Sequence, residues 1–477
     1  MRKITYLGDV HLKEKYKLLI KDTFIFALGS LGSKLILFFL VPLYTNFLTK
    51  GEYGKAELVN TFSSLVIPFS ALAINEGVIR FGMMKNVKKE NVLLSSYIVL
   101  LFSIISSLLI CYSLRIYPPL TNWWVYLFVH VVLSNISEVE RCYLKVKNQN
   151  KKFAIISIVQ TAVLALSNIL LLTVLKTGIR GYLSSSIIAI GSSAFITFFV
   201  AGIPADLKKS KIELSLLKKM VTYSYPLIFT SISWWVIHSC DKIMIERMVD
   251  DSSLGLYTAA SKIPSLINVI IGIFNQAWGL SSIREVESDG DTQYYADVFD
   301  KFSLILFIAA IGYTTITKYF MSIYVGKEFV EAWKYVPLLL SAAVFYSISA
   351  FIGSLYSALQ KSVNNMWTMI LCAICNLLLN FLCIPYLGVW GAIIGTVGSY
   401  FIIAIIRVID IKRLITFKIS NYRFIINIVI MLVQSVLISL DIMILPISCL
   451  TIICFILINK STIAQFILQF RNMRSNK

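Results

Sequence analysis

Residues Ser233–Lys262, SWWVIHSCDKIMIERMVDDSSLGLYTAASK, decide how the chain is read. They continue an apolar span that begins near Met220, yet they hold His238, Asp241, Lys242 and Glu246. On insertion scales a charge at the centre of a membrane helix costs about 2.5–3.5 kcal/mol, so such groups must be paired, hydrated or near the membrane surface. A helix that keeps several of them faces a watery cavity rather than lipid. The same stretch opens a second half of the chain that repeats the design of the first, a combination that points to transport.

Composition sets the frame. Of 477 residues, 57% are hydrophobic and 14% charged, with a mean hydropathy of +0.78. A soluble protein keeps about 25% charged residues, so most of this chain belongs in lipid. The net charge of +19 does not point to nucleic acid, because the basic residues are dispersed between apolar runs and serve orientation in a bilayer. The opening MRKITYLGDVHLKEKYKLLIK is too polar for a signal-peptide core, which leaves insertion to the first apolar span. Cys372 and Cys375 form a C-x-x-C, but within LCAICNLLL they read as small core residues.

Runs of roughly 18–25 apolar residues predict about 14 transmembrane helices, near 23–47, 56–81, 91–113, 121–144, 153–175, 180–202, 221–247, 255–282, 299–324, 335–359, 366–386, 390–410, 423–440 and 442–459. Connections between them are short. About two-thirds of the 44 Lys and Arg fall on the side of the N-terminus, counting the group from Arg407 to Arg423 as loop residues. This bias predicts a multi-pass membrane protein with both termini cytoplasmic.

An internal repeat organises the spans. Tyr53-Gly54 falls against Leu254-Gly255, each between an outgoing and a returning helix. Farther on, KTGIRGYLSSSIIAIGS matches YLGVWGAIIGTVGSYFI, setting Gly178 and Gly181 against Gly388 and Gly391. The expected fold is an all-α integral membrane protein of two pseudo-symmetric six-helix bundles plus a C-terminal helix pair. The lobes are residues 1–210 and 211–415, with the pair and a tail in 416–477. Both halves start on one membrane side, so the repeat is parallel and encloses a cavity suited to alternating access.

The motifs then resemble a known family. KDTFIFALGSLGSKLILFFLVPLYTNFLTKGEYG (residues 21–54) is similar to the start of the Wzx-type polysaccharide flippases of the MOP superfamily. The second-half signature is met by Asp241, Lys242, Ile245, Gly255, Tyr257, Ala260 and Lys262. Related chains often carry a glycine before the arginine ending helix 2; here the corner is Asn75-Glu76-Gly77-Val78-Ile79-Arg80, with an extra carboxylate. The resemblance implies a MOP/MATE-like fold. It also implies translocation of an undecaprenyl-diphosphate-linked oligosaccharide repeat from the cytoplasmic to the periplasmic leaflet, for O-antigen or another surface polysaccharide. A polysaccharide polymerase and a chain-length regulator are the partners it suggests.

Particular residues can carry such work. Lys34 lies ten residues beyond Phe24, roughly 15 Å along helix 1 and mid-membrane, where it can contact a lipid diphosphate or pair with a carboxylate. On helix 7, Trp234, His238 and Asp241 share a face; Asp241 with His238 is a protonation candidate, and Lys242 can pair with Glu246 one turn on. Helix 8 presents Lys262, Asn268 and Asn275 along one stripe, where amides suit sugar hydroxyls or a neighbouring helix. Helix 2 offers a shorter stripe through Asn60, Ser64, Ala71 and Asn75, ending at Glu76 and Arg80. On helix 4, Glu138, Glu140 and Arg141 read as a solvated salt-bridge cluster. Pro42, Pro68, Pro226 and Pro264 provide bends in helices 1, 2, 7 and 8.

No phosphate loop, metal-spaced histidines or nucleophile motif is present, so the expectation is a transporter without a cofactor, coupled if at all to H+ or Na+. The competing functions are a multidrug or cation antiporter, which wants an anionic cavity, and a membrane-embedded polysaccharide polymerase, which tends to need a large outward loop.

Overall fold

The computed structural model describes residues 36–84, 86–287, 292–359, 361–415 and 421–475. Lys34 lies outside the described residues. No strand occurs among them, and they form two compact units, one within Gly32–Thr258 and one taking in Ala259–Lys477.

The first unit opens with the described part of α1, Ile36–Phe47, followed by α2, Lys50–Ser70. A capping box starts α2: the Glu52 N–H donates to Thr49 Oγ1 at 3.2 Å, and the Thr49 N–H donates to Glu52 Oε2 at 3.0 Å. Its end is abrupt. The Ala73 N–H bonds the Pro68 carbonyl at 2.9 Å and the Leu72 N–H bonds that of Phe69 at 3.4 Å, the two bonds of a Schellman termination. Glycine usually holds the left-handed position in that motif. Here Leu72 (φ 52°) and Ala73 (φ 48°) hold left-handed angles, each at a cost of about 1–3 kcal/mol. The chain then restarts as α3, Ile74–Gly82, bent 53° from α2. Sequence reading expected one span over 56–81 with a continuous polar stripe; the break at Leu72 interrupts it, because a Schellman turn needs no glycine when neighbouring helices fix the backbone.

Those neighbours are α4 (Lys89–Ser113) and α5 (Trp124–Val146). Ser106 of α4 donates to the Ser70 carbonyl at 2.8 Å, and Asn135 of α5 donates to Ser70 Oγ at 2.9 Å, satisfying groups that the break frees. The unit continues with α6 (Asn150–Asn168), a π-helical segment Ile169–Val174, α7 (Ile179–Val200), α8 (Ile203–Lys209), α9 (Leu214–Ser224) and α10 (Leu227–Met248). Ile74, Val78, Val139 and Met220 form a core around α3, α5 and α9. On α8, Asp206 accepts hydrogen bonds from Tyr143 Oη and Lys147 Nζ, both at 2.8 Å. Burial alone would push this carboxyl up, but the two donors more than offset it and hold it below the usual carboxylate range.

The long α11 (Asp251–Glu287) begins in the first unit and runs into the second. There it is followed by α12 (Thr292–Tyr324), a 3₁₀ turn Lys327–Lys334, α13 (Val336–Ala358), α14 (Ser362–Leu387), α15 (Val389–Leu414), α16 (Asn421–Ser439) and α17 (Ile444–Ser475). Large rings fill its core: Trp278 stacks on Phe351 at 4.5 Å and Phe274 on Phe302 at 4.6 Å.

The paired glycines of the repeat do the same job twice. Gly178 (φ 57°, ψ −140°) caps α7 and Gly388 (φ 57°, ψ −130°) caps α15, in a region of backbone space open to glycine almost alone. A Cβ on Gly181 would lie 2.2 Å from Thr177 Oγ1, and one on Gly391 would lie 2.4 Å from the Cys383 backbone.

Among the described residues eight helices are long and apolar enough to cross a membrane, or nine if α2 and α3 count as one span. The expected 14 is not reached on that measure. Only Ile36–Phe47 of α1 is described, the apolar part of α17 (Ile444–Lys460) is shorter, and α5 and α10 carry charges within their length. Two charge readings also change. Glu138, Glu140 and Arg141 form no ion pair with one another: Glu140 is 1% exposed and accepts from Tyr97 Oη at 2.7 Å, while Arg141 turns to Gln160 and Ser157 of α6. Arg407 is no loop residue. It is 2% exposed inside α15 and held by neutral acceptors, the Ser349 carbonyl at 2.7 Å, Asn365 Oδ1 at 2.6 Å and Thr368 Oγ1 at 2.8 Å.

Candidate functional site

Where α2, α10 and the start of α11 meet, small residues let backbones touch. A Cβ on Gly54 would lie 2.1 Å from the Asp251 carbonyl oxygen, and one on Gly255 would lie 2.1 Å from that of Lys50. Each glycine thus faces the carbonyl four residues before the other, so the two positions aligned as a repeat pack reciprocally. Charges brace this crossing. Lys242 Nζ lies 2.6 Å from Glu57 Oε1, and Lys55 lies 3.3 Å from Asp251. The Lys242–Glu246 pairing expected from helical spacing is replaced: Lys242 reaches α2, and Glu246 instead accepts from Tyr117 Oη. Asp241, 5% exposed, accepts from Tyr257 Oη at 2.5 Å. Trp235 packs on α2, donating to the Thr61 carbonyl at 2.8 Å. Sequence reading missed Glu57, which lies one residue inside the expected start of helix 2 and reads there as a boundary charge.

A second site lies beside the α2–α3 break. A cleft of about 240 Å³ is lined by Ser64, Asn75, Glu76, Asn135, Glu138 and Ser231 with Pro68, Ala71 and Ile74 among its apolar walls. Asn135 is 4% exposed, whereas Glu76 and Glu138 are exposed at the edge. Asn135 spends its Nδ2 on Ser70, and its Oδ1 makes no hydrogen bond to a described residue. Asn75 donates to Glu76 Oε1 at 3.2 Å. Among the described residues, neither carboxylate forms an ion pair and no basic side chain lines the cleft. After the break, Asn75 and Glu76 at the start of α3 line the same cleft as Asn135 and Glu138 of α5.

The remaining predicted residues fall elsewhere. Arg80 is exposed in the last turn of α3. Trp234 and His238 lie on α10, but their side chains are outside the described residues. Lys262, half-buried, and Asn268 and Asn275 lie on the part of α11 that belongs to the second unit. The Oδ1 atoms of both asparagines are buried with no hydrogen-bond partner among the described residues, and their seven-residue spacing sets them on one helix face. The first unit therefore assembles Asn75, Asp241 and Lys242 into polar sites, though in two places rather than one.

Helices of this length and apolarity, one of them broken beside a polar cleft, define a multi-pass membrane protein. Solved transporters share the fold. The chain is similar to the lipid II flippase MurJ in its inward closed conformation, at 14% identity over 92% of this chain and 100% of that one, with a TM-score of 0.68. It is also similar to a MATE transporter in complex with MaL6 (12% identity, 82% and 94% coverage, TM-score 0.58) and to the Vibrio cholerae MATE transporter VcmN in a mutant form (13%, 84% and 97%, 0.57). More specifically, the chain belongs to the polysaccharide biosynthesis protein family, whose model matches residues 19–278. No curated protein sequence matches it significantly.

Proposed function

We propose that this protein is a flippase that carries an undecaprenyl-diphosphate-linked oligosaccharide repeat from the cytoplasmic to the periplasmic leaflet of the bacterial inner membrane. The repeat then feeds O-antigen or another surface polysaccharide. The observation that carries this reading is a polar cleft at a helix break, inside a transporter fold, in a chain of the polysaccharide biosynthesis family. Such a substrate is amphipathic: its polyprenyl tail stays in lipid while its sugars and diphosphate need a hydrated passage. No covalent step is required. The protein lowers the barrier by replacing hydration with amides, hydroxyls and charges, and by exposing them to one side at a time. The name of the lipid II flippase, a carrier of a lipid-linked substrate, supports the analogy.

Within this reading Lys34, Lys242 and Lys262 are the cationic candidates for the diphosphate. Trp234, Asn268 and Asn275 are the candidates for the sugars, and Asn75 and Arg80 are further translocation candidates. Asp241 with His238 is the candidate for proton or sodium coupling. The division into lobes 1–210 and 211–415 with a pair in 416–477, cytoplasmic termini, and association with a polymerase and chain-length regulator belong to the same proposal. The test is sided detection of lipid-linked sugars after loss of the gene. A flippase loss strands single repeats on the cytoplasmic face, whereas their arrival on the outer face unpolymerised would indicate a polymerase and refute the proposal. One observation favours a cation antiporter instead: the cleft is acidic.

A further inference from the structure

That acidity bears on the substrate. Resting on the flippase reading, we infer that the cleft beside the α2–α3 break receives the sugar end of the substrate, and that the sugar it fits carries a free protonated amine. Three features combine here. Glu76 and Glu138, on different helices, border one cleft with no basic side chain among the described residues of its lining. Arg141, the nearest arginine along α5, is committed to Gln160 and Ser157 on α6. Asn135, nine-tenths buried and lining the cleft, spends its Nδ2 on Ser70 and makes no Oδ1 hydrogen bond to a described residue.

Two carboxylates closed over a neutral ring would lose water and gain only hydroxyl donors. An ammonium group gives them a charge-assisted partner, and the Asn135 carbonyl accepts another of its hydrogens or a ring hydroxyl. A diphosphate is repelled from the same place, so the lipid-phosphate end lies elsewhere on the protein. Ser64 and Ser231, from α2 and α10, offer hydroxyls to the rest of the ring. The volume of about 240 Å³ falls just below ordinary small-molecule sites of roughly 300–1,000 Å³, which suits one sugar rather than a whole repeat.

The test uses the full chain in lipid nanodiscs, with glucosamine, N-acetylglucosamine and glucose as probes followed by saturation-transfer NMR. Glucosamine should bind at least about ten-fold better than the other two, as one charge-assisted hydrogen bond allows. Glu138→Gln and Glu76→Gln, both at exposed positions, should each reduce that preference while leaving the protein's thermal transition in place. Equal binding of the three sugars, no binding, or an undiminished preference in both variants would overturn the inference. Such a result alongside a cytoplasmic pile-up of lipid-linked repeats on gene loss would leave the flippase reading standing. Binding of tetraphenylphosphonium with no sugar binding would remove both in favour of a cation antiporter.

Discussion

Replacing Gly54 with alanine tests the helix crossing most directly. The added Cβ would lie 2.1 Å from the Asp251 carbonyl oxygen, more than an ångström inside the 3.4 Å at which ordinary contact begins. The obstacle is backbone on both sides, so no rotamer change relieves it; α2 and the start of α11 must separate. Overpacking of this kind costs about 1–3 kcal/mol and occasionally more. Gly255→Ala meets the Lys50 carbonyl at the same 2.1 Å and should cost a similar amount. The informative variant is the double one. Separation that relieves the first clash also makes room for the second, so the double substitution should cost little more than either single, well short of their sum. Thermal unfolding in detergent, measured for the four proteins of the cycle, gives the coupling. Strict additivity would refute a shared crossing, and single variants as stable as the parent would refute the close approach itself.

The Lys242–Glu57 pair predicts a second coupling. Glu57→Gln and Lys242→Met should each destabilise by about 1–3 kcal/mol, and the charge-exchanged double variant should recover part of the loss in the same assay. Arg407→Lys should be more harmful than its charge suggests, by about 2–3 kcal/mol, because an ammonium cannot reach Ser349, Asn365 and Thr368 together; unfolding of Arg407→Lys beside the parent measures it. The Asp206 carboxyl is held low in the folded protein, so its contribution is complete above about pH 4 and lost as pH falls through the depressed value. Hydrogen exchange over Ile203–Lys209 should therefore rise in acid, and Lys147→Met should move that rise to higher pH.

Helix positions were legible because apolar length is a local property, and the glycine pairs were legible because a tight turn or close approach admits few residues. Gly178 and Gly388 show this: their common conformation was implied by alignment of two short motifs. The break at Leu72 was not legible, since nothing in PFSALAIN (residues 68–75) marks a left-handed leucine; Ser106 and Asn135, far along the chain, hold it. Partners chosen across helices were equally hidden. Spacing offered Glu246 to Lys242, but Glu57 lies on another helix, and sequence separation says nothing about that distance. Arg407 looked like a loop charge because its neutral acceptors on α13 and α14 carry no sequence signal.

The short helix α3 has one more consequence. It is joined to α2 through a sharp corner, while its other side rests on α9: a Cβ on Gly77 would sit 2.7 Å from Ser224 Oγ. The stretch leading into α9 is clipped to α4, with the Lys211 N–H donating to Asn91 Oδ1 at 2.9 Å and Asn91 donating to Glu213 at 2.5 Å. A push on that connector therefore bears on a nine-residue rod at Gly77, directly beside the hinge-side residues Asn75 and Glu76 that edge the cleft.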